Sequence, residues 1–116
     1  MKSNQAIHAL GALAQESRLA VFRLLVKRGP DGFTPGEILE RLDIPAPTLS
    51  FHLKELQRAR LLIAHREGRF LYYSADFGAM RELLAYLTEN CCGLSATDCD
   101  DNCMPVKSSA RKRKTA

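Results

Sequence analysis

The segment Thr34-Pro35-Gly36-Glu37 restricts the fold of this chain more than any other stretch. Thr34 can cap a helix, Pro35 suits the first helical position because the N–H it lacks is an orphan there anyway, and Glu37 can reach back to close a capping box. A helix therefore starts here, with Ile38, Leu39 and Leu42 as its inward face. Its end is equally marked, since Asp43-Ile44-Pro45 turns the chain. A further helix opens at Ala46 or Pro47 and runs to about Arg60, its buried stripe Leu49, Leu53 and Leu56 falling at helical spacing.

Around this pair the pattern continues in short elements. Residues 5–14 space Ile7, Leu10, Leu13 and Ala14 along one helical face. Residues 17–28 form a second helix whose apolar positions (Leu19, Phe22 and Val26, widened by Val21, Leu24 and Leu25) cover enough of its surface to bury it on most sides. Gly29-Pro30-Asp31-Gly32 stops it. After the helix pair, residues 61–66 and 69–75 are rich in Leu, Ile, Phe and Tyr and read as two strands, with Glu67-Gly68 as the two-residue turn between them. Asp76 then caps a last helix with Met80, Leu83, Leu84 and Leu87 in register, a stripe that extends to Cys91. The expected fold is mostly α with a small β-hairpin, a winged helix-turn-helix spanning residues 1–90. Residues 91–104 form a cysteine-rich segment, and residues 105–116 a basic, disordered tail.

At 116 residues the chain suits one domain. No stretch approaches the ~20 apolar residues of a membrane span, and the start Met1-Lys2-Ser3-Asn4-Gln5 lacks a secretion profile. A cytoplasmic protein without a membrane partner is expected. No catalytic constellation is visible: there is no Ser-His-Asp order, no Gly-rich phosphate loop and no carboxylate pair. The charge is unevenly placed. Lys107, Arg111, Lys112, Arg113 and Lys114 carry the net +4, leaving 12 basic against 13 acidic groups in residues 1–106. Within that body, residues 41–73 hold Arg41, Lys54, Arg58, Arg60, Arg66 and Arg69 against Asp43, Glu55 and Glu67. Residues 74–103 hold only Arg81 against six acids. A polyanion docks on the first stretch and avoids the second.

The second helix of a helix-turn-helix lies in the major groove of DNA. With Leu49, Leu53 and Leu56 turned inward, Pro47, Thr48, Ser50, Phe51 and Lys54 are left for the groove. Ser50 and Thr48 can bond bases or phosphates, Phe51 can meet a thymine methyl, and Lys54 can neutralise a phosphate. Arg66 and Arg69 flank the hairpin turn, where a wing meets backbone or minor groove. The histidines His8, His52 and His65 read as structural or phosphate-contacting rather than as ligands.

All four cysteines, Cys91, Cys92, Cys99 and Cys103, fall within thirteen residues. In a reducing compartment such clustering points to metal, metalloid or redox chemistry rather than a disulfide framework. The uneven spacing lacks the paired CxxC hairpins of a zinc knot.

Leu13-Ala14-Gln15-Glu16-Ser17-Arg18-Leu19, then Pro47-Thr48-Leu49-Ser50-Phe51-His52-Leu53-Lys54-Glu55-Leu56, then Glu67-Gly68-Arg69-Phe70-Leu71-Tyr72-Tyr73 together resemble the ArsR/SmtB metalloregulatory repressors. The likeness covers roughly residues 5–92. It implies a homodimeric repressor that leaves a near-palindromic double-stranded operator when an inducer binds. It places DNA contacts at Ala46, Pro47, Ser50 and Phe51, with Lys54 nearby. Four positions depart from the family habit: Pro45 stands where a capping Ser or Thr is common, Arg60 where Gly is common, and Ala46 and Pro47 where polar residues are common. The helix over residues 34–42 has no cysteine and the last helix no His, so two of the family's usual metal sites are absent.

What remains is the cluster after the last helix. Soft thiolates select soft ions. Trivalent arsenic takes three thiolates in a pyramid, and a subgroup of these repressors carries a Cys-Cys pair at this point with a further Cys downstream. Cys91, Cys92 and Cys99 are the expected ligands for arsenite, with Cys103 as a fourth or substitute ligand. A thiol redox or persulfide sensor, or a sensor of a soft divalent metal, is the alternative on the same fold. The first and last helices keep apolar faces that one core cannot cover, so they are expected to pair two copies across a two-fold axis.

Overall fold

The computed structural model describes residues 1–94. Five helices and a hairpin follow in the order α1 (Ser3–Leu13), α2 (Glu16–Arg28), α3 (Pro35–Arg41), α4 (Ala46–Arg58), β1 (Leu62–Glu67), β2 (Phe70–Ala75) and α5 (Phe77–Leu87). This is the expected winged helix-turn-helix.

Local chemistry sets most of the boundaries. At α3 the capping box forms as its residues require: the Glu37 N–H donates to Thr34 Oγ1 at 3.2 Å, and the Thr34 N–H donates to Glu37 Oε1 at 2.9 Å. The second helix begins at Glu16, one residue before the sequence-based boundary, because the Gln15 side chain accepts the Arg18 N–H at 2.9 Å. Likewise α1 begins at Ser3, where Gln5 Oε1 takes the Lys2 N–H at 2.9 Å. Asp76 caps α5 as expected, accepting the Ala79 N–H at 3.0 Å.

The core is drawn from every element. Val21, Leu25, Ile38, Leu49, Leu56 and Leu61 are its fully enclosed residues. Between them α2 and α4 fill the centre, α3 closes one side, and the hairpin base covers another through Leu62 and Ala75. Phe33 adds a single antiparallel bridge to the two-stranded sheet, exchanging two backbone bonds of 2.9 Å with Tyr73. Gly32 makes that approach possible: it has φ of 75°, and a Cβ there would stand 2.5 Å from the Tyr73 carbonyl oxygen.

Three sequence-based readings are corrected. The hairpin loop is Gly68-Arg69 rather than Glu67-Gly68, because Glu67 pairs with Phe70 as the last rung of the antiparallel ladder. Positive φ at Gly68 and not at Arg69 is the pattern of a type II′ turn, which wants Gly at its first central position. In α1 the face toward the core is Ala6, Ala9 and Ala12, while Ile7 and Leu10 stand 65% and 42% exposed. Small residues let α1 lie close against its neighbours, with Ile7 and Leu10 pointing away and Leu13 resting half-buried on the core. The third correction concerns α5, which ends at Leu87 and does not carry its stripe to Cys91. The Thr88 hydroxyl donates to the Leu84 carbonyl at 2.8 Å, and the chain leaves the helix in turns.

Candidate nucleic-acid interface and cysteine turn

Helix α4 splits cleanly into two faces. Leu49, His52, Leu53 and Leu56 are buried, whereas Ala46, Pro47, Thr48, Ser50, Phe51 and Lys54 are all exposed. The first three of these lie on the N-terminal turn, the part of a recognition helix that meets base edges. Its cap is Pro45, which offers no side-chain bond. Pro47 removes one further donor from the first turn, leaving the Ala46 and Thr48 N–H groups to solvent or a phosphate oxygen.

The wing continues the same positive surface. Arg69 lies in the hairpin loop and Arg66 on β1 opposite Leu71, both exposed. Phe70, at 59% exposure, stands beside Arg69 and was not singled out by the sequence; strand alternation alone does not say which face of a hairpin tip is covered. At the wing base His65 stacks on Tyr72 with centroids 5.5 Å apart, and its Nε2 is 3.7 Å from a Glu67 carboxylate oxygen.

Behind α4 lies a contact that sequence reasoning missed. Arg18 of α2 donates from Nε to His52 Nδ1 at 3.2 Å, and its guanidinium carbon sits 5.4 Å from the centre of the Phe51 ring. His52 must accept with Nδ1, so its proton is on Nε2 and the ring is neutral. Burial, followed by the neighbouring Arg18 charge, holds its pKa below the usual histidine value. The signal was available in the spacing. His52 falls between Leu49 and Leu56 on the apolar stripe, and Arg18 precedes the buried Phe22 by one turn.

At the other end of the fold, residues 88–94 follow α5 as turns. The Cys91 N–H bonds the Thr88 carbonyl at 3.0 Å and the Gly93 N–H bonds the Asn90 carbonyl at 2.8 Å. Asn90 and Cys92 take φ of 58° and 63°, which folds the chain tightly enough to put the Cys91 and Cys92 sulfurs 3.8 Å apart. Cys91 is exposed and Cys92 half-buried. Cys99 and Cys103 lie outside the described residues. Among the described residues no group of three or more His, Cys, Asp or Glu side chains is assembled for a metal ion, and no helix is long and apolar enough to cross a membrane.

A helix-turn-helix domain family matches residues 13–65. The chain is similar to the transcriptional repressor SdpR of Bacillus subtilis, 32% identical over 76 residues that make up 66% of this chain and 81% of SdpR. Among solved structures it is similar to HlyU from Vibrio cholerae, 32% identical, with TM-score 0.57 over 75% of this chain and 97% of HlyU. A form described as reduced HlyU aligns as well, with TM-score 0.56 over 73% of this chain and 90% of that one. An ArsR-like regulator from Rhodococcus sp. RHA1 shares the fold at 21% identity, with TM-score 0.66 over 72% of this chain and 76% of that one. SdpR is a transcriptional repressor, the Rhodococcus protein is an ArsR-like transcriptional regulator, and HlyU of Vibrio vulnificus, 31% identical to this chain, is a transcriptional regulator. This chain belongs to the family of helix-turn-helix transcriptional regulators that includes SdpR and HlyU, and it has their DNA-binding fold.

Proposed function

We propose that the protein is a homodimeric repressor that leaves its operator when trivalent arsenic, as arsenite or antimony's analogous form, is bound by Cys91, Cys92 and Cys99, with Cys103 as fourth or substitute ligand. The observation that carries this reading is the turn holding the Cys91 and Cys92 sulfurs 3.8 Å apart just past α5. At bond lengths of ~2.3 Å two thiolates on one ion stand no more than about 4 Å apart, so a small movement of the pair is enough for both to grip one soft ion, whether pyramidal arsenic or a tetrahedral divalent metal. Arsenous acid reacts with three thiols to give one trithiolate complex and three waters, and no electron changes hands. Drawing Cys99 onto the pair closes residues 93–98 into a loop at the end of α5.

Dimerisation supplies the link to DNA. Ile7 and Leu10 of α1, with Leu84 and Leu87 of α5 at 55% and 53% exposure, give one copy an apolar flank to set against the same flank of another. A two-fold pair places two α4 helices in successive major grooves of a near-palindrome. Reorganising the end of α5 shifts one half against the other and spoils that spacing. Derepression needs a coupling of ~1–3 kcal/mol between the thiolate site and the operator.

A second reading has one observation in its favour, the similarity to HlyU in a form described as reduced. On that reading thiol oxidation releases the DNA. Fluorescence anisotropy on an operator, under reducing conditions, separates the two. Arsenite is expected to release the reduced protein, and Cys91→Ser to keep full operator affinity while losing that response. Release by oxidant but not by arsenite moves the cysteines to redox sensing; release by zinc or cadmium alone makes the site a divalent-metal sensor.

A further inference from the structure

The contact behind the recognition helix has a consequence for what that helix reads. Phe51 is 53% exposed on the groove side of α4. An exposed aromatic ring on a helix has several rotamers to choose from, and a contact with a base edge needs one of them. Its sequence neighbour His52 is only 5% exposed, turned into the core, with ring centroids 6.0 Å apart. Arg18 touches both: one edge of its guanidinium bonds the buried imidazole, and its plane lies by the exposed phenyl ring. Arg18 is itself held from behind, because its backbone N–H is the one that Gln15 caps.

We propose that Arg18 of α2, outside the helix-turn-helix pair, is a positioning residue that fixes the Phe51 ring for contact with a thymine methyl and so sets part of the operator specificity. The proposal rests on the reading that Phe51 faces a base edge. The guanidinium suits the task because it is planar and carries a directional Nε–H, so one group can anchor on His52 and lie against Phe51 at the same time. A lysine ammonium keeps the charge but is a point donor on a flexible stem and cannot hold both geometries. With the cation against one part of the ring, the remaining surface of Phe51 is offered outward to the methyl group, the apolar feature that distinguishes thymine in the major groove.

Replacing single thymines by deoxyuridine removes the 5-methyl group and nothing else. An operator is first selected from random duplexes by the wild-type protein, and anisotropy then gives affinities for the thymine and deoxyuridine versions. Wild type is expected to lose about fourfold at one thymine per half-site, the worth of one buried methyl. Phe51→Ala is expected to abolish that discrimination, and Arg18→Lys to reduce it below about 1.5-fold while still binding nonspecific DNA as wild type does. His52→Leu keeps an apolar residue in the core but removes the acceptor; it is expected to lose discrimination in the same way, and serves if Arg18→Lys does not fold.

Full discrimination in folded Arg18→Lys overturns the proposal and leaves the repressor reading standing. A uniform loss of affinity on both duplexes, with discrimination intact, also overturns it and makes Arg18 a phosphate contact. A wild-type protein that selects an operator yet shows no methyl sensitivity removes Phe51 from the base edge and overturns the proposal with it. Selection of no operator at all overturns the repressor reading itself.

Discussion

The block from α2 to β2 and the flank formed by α1 and α5 are built to different standards. The first is closed on itself: Leu25, Ile38, Leu49, Leu56 and Leu61 are enclosed, and α3 is capped at its start by a reciprocal box. The flank buries only Ala6, Ala9 and Ala12 from α1 and Leu83 from α5; Leu13, Phe77, Met80 and Tyr86 rest half-buried on the core, and Ile7, Leu10, Leu84 and Leu87 are exposed. A surface that presents an operator-reading helix must hold its shape alone. In the proposed dimer a surface finished by a second copy can be left open, and whatever alters that second surface alters the spacing of the first. The cysteine turn follows α5, on the open side of this division.

The largest expected effect breaks the closed block. Leu56→Ala removes a fully enclosed side chain from α4 and leaves a cavity against the core, at a cost of about 3 kcal/mol. Urea unfolding followed by circular dichroism reads this as a lower midpoint with unchanged slope, and DNA binding falls with the folded fraction. The same kind of change on the flank acts differently. Leu87→Asp places a charge where the apolar side chain is half in water already, so the monomer keeps its unfolding midpoint. Sedimentation is expected to show monomers where wild type dimerises, and operator affinity to fall about tenfold or more. Equal loss of stability in both variants erases the contrast between block and flank.

These two regions were not equally legible. In the block, Thr34, Pro35 and Glu37 at α3 carry local signals and act in the structure as their chemistry dictates; on the flank, Asp76 at α5 is the one cap the sequence marked. The exposed row on α4 also follows from the period of its leucines. Where two rules competed, spacing alone failed. The sequence reading puts the hairpin loop at Glu67-Gly68, and the rung between Glu67 and Phe70 moves it to Gly68-Arg69. Cys91 continues the α5 stripe on paper, but the helix has already ended after Leu87, where the Thr88 hydroxyl takes a backbone carbonyl. The Arg18 contact joins residues 34 positions apart: spacing marks His52 as lying on the buried stripe of its own helix, but it does not say that Arg18 is what it meets there.

A smaller effect sharpens the comparison from within the block. Arg60 follows the end of α4 with φ of 65°, its N–H on the Gln57 carbonyl and the Leu61 N–H on the Leu56 carbonyl. This is the paired bonding of a Schellman ending, whose left-handed position favours glycine because any Cβ is crowded there. Arg60→Gly is therefore expected to stabilise the fold by about 1 kcal/mol, seen as a rise in the urea midpoint. Arg60 lies past the exposed row on α4, so specific operator contacts survive the change. No gain in stability means that the arginine side chain offsets its own strain.

The smallest expected effect is a pH dependence that belongs to the block alone. Burial and then the Arg18 charge keep the His52 pKa below its ordinary value of 6.5. The unfolded chain thus takes up a proton at that histidine more readily than the folded one. Its neutral form contributes stability that is fully present above about pH 6.5 and is lost as the pH falls toward the folded-state pKa. Protonation would also occupy the nitrogen that accepts the Arg18 bond and set two cations side by side. Unfolding free energies for wild type and His52→Gln, measured from pH 7.5 down to 5, are expected to converge as the pH drops, because only wild type loses stability through this group. The same series on the Leu87→Asp monomer is expected to show an unchanged convergence, since His52 and Arg18 belong to α4 and α2 whereas Leu87 ends α5. Parallel curves in either protein would mean that the imidazole is no longer the neutral partner of Arg18.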